Sequence, residues 1–497
     1  MAFISRHLGN NSKNITKMLS ELNGKWTSIN ALVNKVIPEN IKIENTNKFP
    51  PVSEEQALSD IKQTFSNYKP VKFVLGMDFN ETILPPVIAR NLLENPKWYT
   101  AYTPYQAEIS QGRMESLYNF QTLICELTDL PISNCSLLDS ASAATEAFNI
   151  AHNFHKGKRI NFFCDNMVHP VLKSTLQTRA NLLGANIVFG NIDNYNFESG
   201  NNTFSGVLFA YPNVRGDVSI NQRKIDAIKA TGALIATHND IMSLMIVKPP
   251  GQIGVDISFG TTQRFGLPLW NGGPHSAFFA TTESLIRMVP GRIVGLSKCR
   301  NGNDAYRLAL QTREQHIKKE RALSNICTSQ ALLANTSAMY AIYHGKKQLI
   351  NKALDIVTLR NVLHKSLVGL QSSIRVSDSP DSFNFDQVSF ASKSNNNKFV
   401  QHSLNEAGYA TYLTNYDNDL SDINNVVCIS IGETTTIDDI YNMYSTIASI
   451  TGHNSLEMIG SSDLDDIYYE EVAKSRLIHT QGLSELLRPS KSHNLTT

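Results

Sequence analysis

The segment DISFGTTQRFGLPLWNGGPHSAFFA, from Asp256 to Ala280, reads as a short apolar strand, a polar loop, and glycines and a proline before more apolar residues. Loops at the end of rigid elements are where side chains meet ligands. A lysine in such a loop would offer a primary amine, which condenses with an aldehyde once a desolvated pocket lowers its pKa. This loop offers Gln263 and Arg264 instead, and the nearest lysines are Lys248 and Lys298. Glutamine cannot form an imine, and arginine stays protonated and makes a poor nucleophile. Lys248 precedes Pro-Pro-Gly in a turn ahead of the strand, and Lys298 lies far along the chain.

Other segments carry polar groups in suggestive company. SLLDSASAATEAF opens a helix, whose free N–H groups bind phosphate, with Ser140 and Ser142 as added donors. Asp139 is a natural N-cap there, and its carboxylate would take those donors and repel a phosphate. Asp240 follows the strand ALIAT by a few residues. In AYTPYQAEISQGR, Tyr102 and Tyr105 flank Pro104, with Gln106, Glu108, Gln111 and Arg113 close behind. Tyrosines of this kind suit a wall against a small substrate, and Arg113 suits a carboxylate or phosphate, but packing tyrosines and a loop-holding arginine are an equal reading. QTREQHIKKERALSN places Arg313, His316, Lys319 and Glu320 on a helical pattern, either an interface or a solvated face. His169, His238, His275 and His316 stand isolated, no HExxH or Cys/His spacing occurs, and no metal site is expected.

Bulk numbers bound the rest. At 497 residues two or more lobes are expected. A formal charge of +1, from 45 basic and 44 acidic residues, gives no reason to expect nucleic acid or an anionic membrane as partner. No apolar run approaches the ~20 residues of a membrane span, and the first residues lack a secretory h-region. The six cysteines form no CxxC pair and fall in segments that read as core, so buried thiols and a reducing cytoplasm are expected.

Helical patterns, ITKMLSELN and SEEQALSDIKQTFSNY, dominate an N-terminal region expected over 1–69. From about 70 to 340 the texture becomes α/β. MESLYNFQTLICELTDL is an amphipathic helix, and RINFFCD, ANIVFG, FSGVLFAYP, ALIAT and VDISFG alternate as strands with VLKSTLQTRANLLG and KIDAIKATG as helices. That alternation predicts a mostly parallel central sheet flanked by helices. Over 341–453 a helix from KKQLINKAL onward precedes short strands and helices, a smaller α+β C-terminal domain. The polar stretch 454–497 has little to pack and reads as a tail or linker.

Together AYTPYQAEISQGRMESLYNFQT, SLLDSASAATEAF, DISFGTTQRFGLPLWNGGPHSAFFA, MVPGRIVGLS and LALQTREQHIKKERALSNICTSQALLAN resemble the glycine decarboxylase P-protein family, from RHLGNNSKNITKML to VVCISIGETTT. The resemblance implies the type I pyridoxal-phosphate-dependent transferase fold, and it is to the N-terminal half, or first subunit, of that family. It implies a chain lacking the Schiff-base lysine, with Gln263 in its place, and pyridoxal 5'-phosphate carried by a second, lysine-bearing subunit of a hetero-oligomer. The activity implied is that of glycine dehydrogenase (aminomethyl-transferring): glycine decarboxylation with transfer of the aminomethyl group to the lipoyl arm of H-protein. Tyr102, Tyr105, Gln106, Arg113, Arg264, His275 and Arg313 are then candidates for the pocket or the interface, and Ser140, Ser142 and Asp240 weaker ones for the cofactor. A regulatory or scaffolding homologue, or an independent enzyme with an unrecognised lysine, are the alternatives. Two departures stand out: Asp78 where the family tends to have glycine, and Trp270–Asn271 ahead of Gly272–Gly273. The first matters if the backbone there needs positive φ.

Overall fold

The computed structural model describes residues 7, 9–23, 26–43, 52–100, 104–197, 203–310, 317, 329–377, 383–394, 396–414, 426–452 and 460–481. Tyr102, Arg313, His316, Lys319 and Glu320 lie outside them. The chain divides into two compact units, Met1–Pro70 and Val71–Thr497.

Among the described residues the first unit includes the helices α1 (Ser12–Glu21), α2 (Ile29–Val36) and α3 (Glu54–Thr64). Each starts behind a side chain that accepts from the first turn: Asn11, Ser28 and Ser53. Such caps satisfy amide groups that a helix start leaves open.

The second unit is built on a seven-stranded sheet. Its strands are β1 (Ile132–Ser133), β2 (Asn161–Asp165), β3 (Asn186–Gly190), β4 (Phe204–Ala210), β5 (Leu234–His238), β6 (Ile257–Thr261) and β7 (Ala277–Thr281). The spatial order is β1-β7-β6-β5-β4-β2-β3. The five strands from β3 to β6 run parallel, and β7 is antiparallel to both β6 and β1. Strands β4 to β7 are buried along their whole length, as their unbroken apolar runs require. Val207, Phe209 and Ile235 enter one core, while Leu208, Ala210, Leu234 and Ala236 enter another, the two faces of one pleated sheet.

Helices α4 (Gln111–Thr128), α5 (Ser140–Phe154), α6 (Pro170–Leu183) and α7 (Gln222–Ala230) match the expected helical segments. Helix α4 buries Met114, Leu117, Phe120, Ile124 and Leu127, the stripe its spacing predicts. A hairpin of β8 (Val294–Lys298) and β9 (Asp304–Leu308) follows the main sheet. Helix α8 (Ala331–Val368) is two helices joined at Gly345, whose φ of 67° and ψ of 166° are not helical. The expected helix from Lys346 begins at that break.

Next comes a four-stranded antiparallel sheet of β10 (Ile374–Ser377), β11 (Gln387–Ser392), β12 (Tyr412–Thr414) and β13 (Val426–Ser430), in the order β10-β11-β13-β12. It is accompanied by α9 (Asn397–Glu406) and α10 (Ile437–Ile450). Lys72–Phe73 pairs in parallel with Tyr409–Ala410 and so ties the start of this unit to its late segments.

One stretch read as a polar tail forms helix α11 (Ser461–Gln481). Leu464 is buried in the core, and Ile467 and Tyr468 pack against it, one helix face at spacings of three and four. Among the described residues no helix is long and apolar enough to cross a membrane.

Candidate functional site

Parallel sheets place ligands beyond the carboxyl ends of their strands. Those ends converge here. His169 follows β2, Pro212 and Asn213 follow β4, His238 ends β5 and Asp240 follows it, and Gln263 and Arg264 follow β6. Ser140 is the first residue of α5. Asp78 comes from the loop Gly76–Asn80, and Asp386 stands at the start of β11.

The space among them is a cavity of about 20 Å³, lined by Met77, Asp78, His169, His238, Asp240 and Asp386 with their neighbours. That volume holds about one water-sized group. No lysine lines it. Lys298 lies on β8, two-thirds exposed, and pairs with Asp304.

Gln263 is fully committed to the loop. Its Oε1 accepts the Asn80 N–H at 2.9 Å, and its Nε2 donates to the Leu267 carbonyl at 2.7 Å. Arg264 is buried between two carboxylates. Its Nε donates to Asp240 Oδ2 at 2.6 Å, one terminal nitrogen to Asp386 Oδ2 at 2.5 Å, and the other to the Ile431 carbonyl at 3.2 Å. Burial, reinforced by the Asp240 charge, pushes the Asp386 carboxyl upward against the pull of Arg264. Asp240 Oδ1 meanwhile accepts from the amides of Met242 and Ser243, at 2.8 and 2.9 Å.

The strand ends are held by Asn239. Its amide donates to the Tyr211 carbonyl at 2.7 Å, and its Oδ1 accepts from Thr237 and Ser258 at 2.7 and 2.8 Å. Gly260 makes room for it, since a Cβ there would lie 1.9 Å from the Asn239 carbonyl oxygen.

At the start of α5 the phosphate-binding potential is spent. Asp139 caps the helix by accepting from the Ser142 amide at 2.7 Å, and Ser140 donates its hydroxyl to Asp78. Two carboxylates at one helix start disfavour any further anion. Asp78 has φ 72° and Met77 φ 54°, so the departure from glycine falls on left-handed backbone. Phe79 packs edge-on against His275, with ring centroids 5.0 Å apart. Although burial alone would raise the Asp78 carboxyl, His238, His169 and Ser140 hold it well below the usual carboxylate range. Burial, with His238 alongside, lowers His169 to about 4.

The remaining candidates lie apart from this cluster. Tyr105 bonds Ser329 Oγ at 2.6 Å and stacks under Arg292 at 4.9 Å, and burial lifts its hydroxyl to about 12. Gln106 is exposed, and Arg113 donates to Ser110 at 3.2 Å. Gln111 holds β9 by exchanging bonds with both the N–H and the carbonyl of Tyr306. Trp270 and Asn271 both have positive φ, ahead of Gly272 and Gly273. Among the described cysteines, Cys135, Cys164 and Cys428 are buried as expected, but Cys299 is exposed at a turn beyond β8.

His169, His238 and Asp386 are the site residues that isolated motifs do not reveal. A signal for the first two exists in their position at or just after the C-terminal ends of predicted parallel strands. Pyridoxal phosphate, the cofactor associated with this architecture, does not fit here: among the described residues no lysine lines the cavity, the helix start is occupied by carboxylates, and Arg264 fills the space between Asp240 and Asp386.

The family model described as the glycine cleavage system P-protein matches residues 5–447. Glycine dehydrogenase (decarboxylating) of Dechloromonas aromatica is 41% identical over 450 residues, covering 90% of this chain and 45% of that protein. Its counterpart in Nostoc punctiforme is 42% identical, covering 90% and 44%. The chain thus spans less than half the length of these curated relatives. A crystal structure of glycine decarboxylase (P-protein) of the glycine cleavage system, in inhibitor-bound form, superposes with a TM-score of 0.79 at 27% identity, covering 89% of this chain and 99% of that one. A sphingosine-1-phosphate lyase of Burkholderia pseudomallei, at TM-score 0.58 and 12% identity over 90% of this chain and 98% of its own, shares the fold alone. The strand order and these likenesses identify the type I pyridoxal-phosphate fold, and the match over most of its length shows that this chain belongs to the glycine cleavage system P-protein family.

Proposed function

We propose that this chain is the non-Schiff-base half of a glycine decarboxylase, acting with a second, lysine-bearing P-protein chain that carries pyridoxal phosphate. The observation that carries the reading is the position after β6. Gln263 there is held by backbone hydrogen bonds through both its side-chain oxygen and its nitrogen, and Arg264 beside it is locked between two carboxylates. The solved P-protein chain that this one matches is covered over 99% of its length, whereas the curated relatives are covered over less than half. That contrast fits a protein whose two halves occur as separate chains.

On this reading the cofactor, on the partner, accepts the electrons released when glycine loses CO2, and the aminomethyl group passes to the lipoyl arm of H-protein. This chain supplies walls and surface. The segment around Tyr105, Gln106 and Arg113, with His275 and the loop after Trp270, is assigned to the wall of the partner's pocket or to the interface; Tyr102 and Arg313, candidates for the same role, lie outside the described residues.

The test is reconstitution. The purified chain, a candidate lysine-bearing half and lipoylated H-protein are assayed for glycine-dependent CO2 release, singly and together. Release is expected only when all three are present. Full activity of the lysine-bearing half without this chain would refute the proposal, as would a covalent cofactor on this chain alone.

A further inference from the structure

Asp78, His169 and His238 each offer a metal-ligating atom, and the three atoms lie within 4.8 Å of one another. They arrive from three separate segments: the loop before the main sheet, the turn after β2 and the end of β5. Asp78 Oδ2 and His238 Nε2 are 3.1 Å apart. Ligands on tetrahedral metal arms of about 2.0–2.2 Å stand roughly 3.3–3.6 Å from one another, so this hydrogen-bonded pair would part by only a few tenths of an ångström to form a coordination edge. The His169 and His238 rings are perpendicular, with centroids 5.1 Å apart.

Two further observations point to a ligand. His169 and His238 are 7% and 2% exposed, and the Nδ1 of His169 is buried without a hydrogen-bond partner. An unsatisfied buried polar atom costs about 1–3 kcal/mol, so this nitrogen at the edge of the cluster calls for an explanation. All three residues line the cavity of about 20 Å³, room for one ion or one water rather than an organic molecule. The backbone adds to this. Gly76, Met77 and Asp78 run through three consecutive left-handed conformations, which bring the Asp78 carboxylate over the strand ends. A non-glycine residue in that region costs roughly 1–2 kcal/mol.

We propose that Asp78, His169 and His238 bind a first-row divalent transition metal, with zinc as its representative. Two imidazoles and one carboxylate suit zinc and its neighbours and disfavour magnesium and calcium, which prefer all-oxygen shells. Ser140, donating to the Asp78 carboxylate, orients that ligand as outer-shell donors do. The ion joins the 76–80 loop to the ends of β2 and β5. A serine–histidine–aspartate hydrolytic site is not an alternative, because Ser140 bonds the carboxylate and not the imidazole. The site stands on this chain's residues alone and does not depend on the proposed partner.

The experiment uses the full chain, stripped with a chelator, loaded with zinc and freed of excess by gel filtration. Elemental analysis is expected to find about one zinc per chain, and cobalt(II) in its place is expected to give the visible bands of an imidazole-ligated ion. His169→Ala and Asp78→Gly are expected to weaken zinc at least tenfold and to abolish the cobalt bands. Asp78→Gly guards against misfolding, since glycine accepts the left-handed conformation without strain. Zinc retained in both variants, as surface histidines or cysteines would retain it, overturns the proposal. So does a folded wild-type chain that takes up no zinc.

Discussion

Replacing Arg264 by methionine leaves the largely buried Asp240 and Asp386 without the guanidinium that bonds both. Breaking a buried pair in this way costs about 3–5 kcal/mol, because a charge is left uncompensated. We expect R264M to lower the unfolding free energy extracted from urea titration by that amount, and R264M combined with Asp240→Asn and Asp386→Asn to recover part of it. A loss under about 1 kcal/mol in the single variant would mean that the carboxylates are already neutral. Gln263→Lys tests the site from the other side. The amine would be restored but not the room or the phosphate cradle, so borohydride treatment with pyridoxal phosphate should leave no adduct at that position. A stoichiometric adduct there would show the pocket to be merely missing its lysine. Asp165 carries a pH signature of a different kind. Burial lifts its carboxyl to about 6 from an ordinary 3.8. Between those values the folded chain holds a proton that the unfolded chain releases, so stability falls as pH rises through that window. The contribution is about 3 kcal/mol at most. Asp165→Asn keeps the acceptor for the Ile192 amide and should flatten the fall, which melting curves from pH 4 to 7 would detect.

At the level of elements, the pattern of apolar runs carries far. β2 to β6 and their helices are legible because each buried strand is a short unbroken apolar run and each helix a periodic one. Helix α11 was hidden by a polar surround. Among its described side chains Leu464, Ile467 and Tyr468 mark the apolar inner face, and a further anchor is polar: Glu471 pairs with Lys365 at 2.6 Å and accepts from Asn361 at 3.1 Å. A face that narrow does not rise above a loop's composition. Leu464, 1% exposed, is the most deeply buried of its described side chains. Leu464→Ala should therefore cost about 2–5 kcal/mol by calorimetry, as truncations in closed cores do. A change within 0.5 kcal/mol, the surface norm, would show the helix to be loosely laid on α8. The site divides in the same way. Asp139 as cap and Gln263 as the residue in the lysine's place are local facts of sequence. The joining of Asp78 to His169 and His238, and of Arg264 to Asp386, depends on segments far apart in the chain that only the folded sheets bring together.

On the scale of the whole molecule, a 55.2 kDa chain that covers less than half of its curated relatives has a type I fold and, among the described residues, no lysine lining the cavity at the strand ends. If the missing chemistry resides in a companion of like size, the dependence of rate on composition has a definite form. With the lysine-bearing half held fixed and well above the dissociation constant, CO2 release should rise in proportion to added chain and level off near one chain per partner. Binding to the folded state alone also stabilises it, by about 2.7 kcal/mol at a hundredfold excess of ligand over the dissociation constant. The melting temperature of this chain should therefore climb with partner concentration, and the two titrations should break at the same ratio. A plateau in stability with no rise in CO2 release would identify a scaffold, because association would then be real and its catalytic consequence absent. A rate insensitive to this chain, with no thermal shift, would remove the companion altogether and leave the backbone-held Gln263 and the clamped Arg264 as features of a protein with no part in decarboxylation.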